Sequence, residues 1–71
     1  MNLQQHLDFL GWTVADLARR ANINQATARR AVEGKQITGR VAQSIAAAIS
    51  EARGPGSRVH VGDISELNVG G

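Results

Sequence analysis

Six basic side chains, Arg19, Arg20, Arg29, Arg30, Lys35 and Arg40, fall in a stretch that holds one acid, Glu33. That stretch carries a local charge of +5 in a chain whose net charge is +2. From Gly54 onward the balance reverses, with Arg58 against Asp63 and Glu66. Guanidinium forks and an ammonium group concentrated in this way suit a polyanionic partner. The competing reading is a solvated helical face that binds nothing. Other chemistries lack their residues. There is no cysteine, so a disulfide framework and a thiolate zinc site are excluded. His6 and His60 stand too far apart to suggest a metal site, and no nucleophile–base pair or Gly-rich phosphate loop is present. The chain therefore reads as a non-enzyme that needs no cofactor. No run of 18 apolar residues occurs and the first residues lack signal-peptide form, so the expectation is a cytoplasmic protein with no membrane partner.

The elements that must hold these charges read as helices. Seventy-one residues allow one small domain, and with 42% hydrophobic but only 3% aromatic residues its core must be built from small side chains on closely approaching helices. Asn2 with Gln5 predicts a capped first helix, with Leu3, Leu7 and Leu10 as its apolar stripe and Gly11 as its end. His6 reads as a surface residue of that helix, while the stripe leaves Phe9 open between core and surface. Thr13 with Asp16 starts a second helix, with Trp12 and Leu17 at the staple positions, and Ala21-Asn22 ends it. Asn24 caps a third helix over Gln25 to about Glu33, stopped by Gly34. Thr38 caps a fourth to about Arg53, with Val41, Ile45 and Ile49 as its core positions and Ala42, Ala46 and Ala52 beside them.

Within this framework Val14–Glu33 follows a helix–turn–helix plan: two short helices joined by a turn of about three residues. The geometry needs a small residue at the crossing, supplied by Ala18, and apolar residues toward the core at Leu17, Ala21, Ile23, Ala28 and Ala31. It also needs a turn residue tolerant of positive φ, supplied by Asn22. The run TVADLARRANINQATARRAVEGK, residues 13–35, resembles the Cro/phage-repressor (XRE-type) helix-turn-helix DNA-binding family. The likeness extends over about residues 3–52, and the "DLA" of the second helix and the "EGK" after the third are typical of it. Three features depart from the family pattern. Asn22 stands where Gly is usual, Ala28 and Ala31 are smaller than the common Ile, Val or Leu, and a Gly-Pro-Gly segment replaces the fifth helix.

The resemblance implies an all-α, lambda-repressor-like four-helix domain that binds double-stranded operator DNA, usually as a two-fold homodimer. It implies a transcriptional regulator, a bacterial or phage repressor, located at the nucleoid. The third helix would lie in the major groove with Gln25, Ala26, Arg29 and Arg30 at base edges. An amide at Gln25 suits adenine N6 and N7, Ala26 offers a methyl contact, and the guanidinium forks suit guanine O6 and N7, with Arg30 slightly ahead of Arg29. Backbone contacts are expected from Asn24 and Thr27, from Lys35 and Gln36 on the connector, and from two helix N-termini. Those are Thr13 with Val14, and Thr38 with Gly39 and Arg40.

Two segments result: a DNA-binding body at 1–53, and a linker with a strand-like tail at 54–71. In the tail Arg58, Val59, His60 and Val61 alternate as a short strand with no partner in its own chain, and Asp63–Glu66 forms a capping-box sequence that predicts a helical turn after it. The expectation is that Arg58–Val61 pairs with a second copy, anchored by Ile64 and Leu67. The alternative function is a protein-interaction module on the same scaffold (an antirepressor, adaptor or antitoxin-like protein), whose tail is the peptide that binds a protein partner.

Overall fold

Each helix begins where a short polar side chain folds back onto its first turn. In the computed structural model, which describes residues 1–70, α1 (Leu3–Leu10) follows Asn2, whose Oδ1 accepts from the Gln5 N–H at 2.8 Å. Gln5 Oε1 returns the bond to the Asn2 N–H, also at 2.8 Å. Thr13 and Asp16 close the same reciprocal pair, at 3.2 and 2.9 Å, ahead of α2 (Val14–Ala21). Asn24 Oδ1 accepts from Ala26 N–H at 2.7 Å to open α3 (Gln25–Val32), and Thr38 Oγ1 accepts from Val41 N–H at 3.2 Å to open α4 (Gly39–Arg53). These bonds satisfy amides that a helix leaves without internal acceptors. Gly11 at φ 71° and Asn22 at φ 56° end α1 and α2 in the left-handed conformation.

The result is the all-α, four-helix fold expected, with α2 packed on α3 and α4, and α1 packed on α3 and α4. Leu7, Leu17, Ile45 and Ile49 are its largest fully buried side chains. Around them lie Ala18, Ala21, Ala28, Ala31, Ala42, Ala46 and Ala48. Ala28 and Ala42 are fully buried (0% exposed), so neighbouring side chains close directly over their methyl groups. No helix among the described residues is long and apolar enough to cross a membrane.

Four placements differ from the sequence reading or refine it. His6 is 4% exposed, not a surface residue, because the buried arc of α1 runs through Leu3, His6 and Leu7 while Leu10 is only half-buried. On α4 Ala48 is buried alongside the expected Ala42 and Ala46, whereas Ala52 lies one turn beyond Ile49, past the last buried residue, and is exposed. Phe9 is 67% exposed, with the Arg53 guanidinium 5.1 Å from its ring centre. Trp12 packs half-buried against the core and receives Arg20 on its ring at 5.5 Å.

The C-terminal residues depart furthest. Gly54–Ser57 is a tight turn rather than a linker: the Ser57 N–H donates to the Gly54 carbonyl at 3.2 Å, with Gly54 at φ 92° and Gly56 at φ 85°. Ser50 then takes both backbone groups of Val59, accepting from its N–H at 2.7 Å and donating to its carbonyl at 2.9 Å. Arg58–Val61 is not a strand. Val59 is buried in the chain's own core, Arg58 and His60 are exposed, and Val61–Asp63 forms a single 3-10 turn. That turn comes before the predicted capping box, because Asp63 Oδ2 accepts from the His60 N–H at 2.9 Å and so acts at the end of the box rather than its start. Ile64 is 4% exposed in the same core, and Leu67 packs half-buried against it. The anchors assigned to a second copy are therefore occupied within one chain, and residues 54–70 join the helical body instead of forming a separate segment.

Candidate nucleic-acid interface

Successive residues of a helix turn by about 100°, so Gln25, Ala26, Arg29 and Arg30 share an arc of about 140° on α3. Ala28 and Ala31 fall on the opposite side, where they are 0% and 3% exposed against the core. All four arc residues are exposed, while Thr27 sits half-buried at the margin. The structure thus brings the four residues assigned to base edges together on one solvent-facing surface. Asn24 stands at its N-terminal end with Oδ1 engaged by the cap, which leaves its amide nitrogen as the group free to contact a partner.

The charges around this face divide by what holds them. Arg19 pairs with Asp16 at 2.6 Å within α2, and Arg20 lies over Trp12, so neither is a free cation beside α3. Lys35 reaches Glu33 at 3.4 Å across the end of α3, with both side chains exposed, a pair of small energetic weight. Arg29 and Arg40 have neither an acid nor a hydrogen-bond acceptor among the described residues. Arg30 has no acid partner either, but its Nη2 donates to the Gln36 carbonyl at 3.2 Å. One of its five N–H donors is thereby used, and the guanidinium has a fixed internal reference that Arg29 lacks.

The two helix N-termini assigned to phosphate are unlike. At α2 the Thr13 N–H is already bonded to Asp16 Oδ2, and that carboxylate occupies the positive end of the helix. Backbone and hydroxyl hydrogen bonds from Thr13, with Arg19 beside it, hold the Asp16 carboxyl below the usual carboxylate range, so it remains an anion. Contrary to the expectation from sequence, the Thr13 amide is not free, and a phosphate approaching Val14 would meet a resident negative charge. At α4 there is no acid in the first turn. The Gly39 and Arg40 N–H groups have no acceptor among the described residues, and the Arg40 side chain adds a positive charge. Thr38, Gly39 and Arg40, with exposed Lys35 and Gln36 on the connector before them, make the better phosphate-facing group.

Sequence reasoning missed the part played by the tail. Asn68 and Gly70 bracket Ile37 on the connector, with the Ile37 N–H donating to the Asn68 carbonyl at 2.8 Å and the Gly70 N–H donating to the Ile37 carbonyl at 2.9 Å. No local pattern signals this contact, since the bonds are made by backbone groups. Compared with protein families, curated proteins and solved structures, the chain finds no match.

Proposed function

We propose that this protein is a sequence-specific double-stranded DNA-binding regulator of transcription that lays α3 in the major groove. Gln25, Ala26, Arg29 and Arg30 face base edges, while Lys35, Gln36, Thr38, Gly39 and Arg40 contact the phosphate backbone. The observation that carries this reading is the exposed arc of α3, where an amide and two guanidinium groups without acid partners lie opposite a face sealed by alanine. Such an arc presents the donor patterns that distinguish base pairs in the major groove. A single α3 spans only a few base pairs, so we further propose that two copies act together on a site with two-fold symmetry. Because Val59 and Ile64 are buried within one chain, the joining surface lies elsewhere than Arg58–Val61. The protein-interaction alternative is less favoured, since the tail that would serve as its binding peptide is folded onto the body.

The test is substitution within the arc. Arg29→Ala, at an exposed site without internal partners, should leave the thermal midpoint unchanged and cost about 1–3 kcal/mol at one base position of a selected site. An Arg29→Ala protein that binds every duplex as the parent does would refute Arg29 as a base-reading residue.

A further inference from the structure

One peptide unit joins Arg30 to the C-terminal tail. The carbonyl of Gln36 accepts from Arg30 Nη2 at 3.2 Å, and the N–H on the other side of the same planar peptide, that of Ile37, donates to the Asn68 carbonyl at 2.8 Å. Fixing the N–H fixes the direction of the carbonyl, because the two groups lie in one plane. The tail also holds the next peptide, Ile37–Thr38, since the Gly70 N–H donates to the Ile37 carbonyl at 2.9 Å. Ile37 is 5% exposed, and both of its backbone groups are satisfied by the tail. The tail in turn is moored at its other end, where the Ser65 N–H donates to the Met1 carbonyl at 3.0 Å and Asn2 Nδ2 donates to Glu66 Oε2 at 3.2 Å. Glu66 takes φ 64°, a conformation a non-glycine residue holds only where its surroundings impose it.

We propose that Asn68 and Gly70 are positioning residues for Arg30: Asn68 holds the Gln36–Ile37 peptide that aims its guanidinium, Gly70 secures Asn68 there by bonding the next peptide, and together they sharpen discrimination at the base pair Arg30 reads. Resting on the DNA reading, this assigns the tail a role in specificity within one chain rather than in pairing two chains. It also separates the adjacent arginines, because Arg29 has no such tether.

The test uses the full chain with two proline variants. Gly70→Pro removes the N–H that holds the Ile37 carbonyl. Because any carbon added at position 70 also meets the Gln36 side chain, Gly70→Ala, which adds that carbon and keeps the N–H, is the steric control expected to match the parent. Val69→Pro is the matched control, because the Val69 N–H has no acceptor among the described residues and both bonds to Ile37 survive. In the free protein, Gly70→Pro should speed exchange of the Ile37 amide by about tenfold and shift the Arg30 side-chain NMR signal, while Val69→Pro does neither. On duplexes that differ at single positions, Gly70→Pro should reduce discrimination roughly three- to tenfold, and this loss should vanish in an Arg30→Ala background but persist in Arg29→Ala. An unchanged Arg30 signal in Gly70→Pro, or equal losses in both arginine backgrounds, overturns the positioning role while leaving the DNA reading intact. Absence of any sequence preference in the parent overturns the DNA reading and the positioning role together, and the exchange data then report only a structural clasp.

Discussion

Replacing His6 with leucine should stabilise the protein, and by an amount that grows as the solution becomes more acidic. The His6 ring is 4% exposed, and neither Nδ1 nor Nε2 has a hydrogen-bond partner. A neutral imidazole carries one donor and one acceptor, and each polar group left unpaired in the interior costs about 1–3 kcal/mol. Leucine has a similar volume and leaves nothing unsatisfied, so a net gain of about 1–2 kcal/mol at pH 7.5 follows after some loss to imperfect packing. In a domain of this size that is a rise of roughly 4–16 °C in the thermal midpoint. The acid dependence follows from the direction of the pKa shift. Burial lowers the His6 pKa, the positive N-terminus and Arg53 lower it further, and Asp63 opposes them. The unfolded chain takes up the proton near pH 6.5 while the folded chain does not. Stability is therefore complete above that pH and is lost as pH falls toward the lower folded-state pKa, with a slope of at most about 1.4 kcal/mol per pH unit. Urea denaturation followed by circular dichroism at pH 7.5, 6.5 and 5.5 on both proteins isolates this contribution, since every other titrating group is common to the two. A gap between parent and His6→Leu that stays constant over that range, or a variant less stable than its parent at pH 7.5, would refute the reasoning.

Three further outcomes test the packing and turns. Ala28 is fully buried, so Ala28→Leu should lose about 1–3 kcal/mol by overpacking, read as a lower urea midpoint with an unchanged slope. Asn22 sits at φ 56°, so Asn22→Gly should change stability by only a few tenths of a kcal/mol, whereas Asn22→Ala should lose about 1 kcal/mol in the same assay. Ser50→Ala removes both bonds to Val59 and should cost about 1–3 kcal/mol, with faster amide exchange at Val59 as the local readout.

The parts of this fold that could be read from residues alone are those settled within a few positions along the chain. Asn2, Thr13, Asn24 and Thr38 act as caps because each reaches an amide two or three residues ahead, and Asn22 turns left-handed for reasons internal to its own side chain. The α3 arc belongs to the same class, since the spacing of Ala28 and Ala31 alone sets which side faces the core. The misread parts depend on contacts between distant segments. His6 stands on a face of α1 that packing encloses, although histidine at that spacing reads as polar surface. Val59 and Val61 alternate with polar residues as in a strand, yet Ser50 on α4 captures Val59 before any partner strand is needed. The clasp of Asn68 and Gly70 on Ile37 is made by backbone groups, which leave no trace in residue type. Asp16 shows a different limit: it was legible as a cap, but the same bond that makes it a cap removes the Thr13 amide from phosphate binding.

The central claim is that α3 reads base sequence. The most direct measurement selects bound duplexes from a random pool and then compares the selected site with a scrambled one at several salt concentrations. The account predicts a short consensus with two-fold symmetry, held at least about a thousandfold more tightly than the scrambled duplex, with affinity falling steeply as salt rises. A pool that yields no consensus, with selected and scrambled duplexes bound alike at every salt concentration, would contradict it.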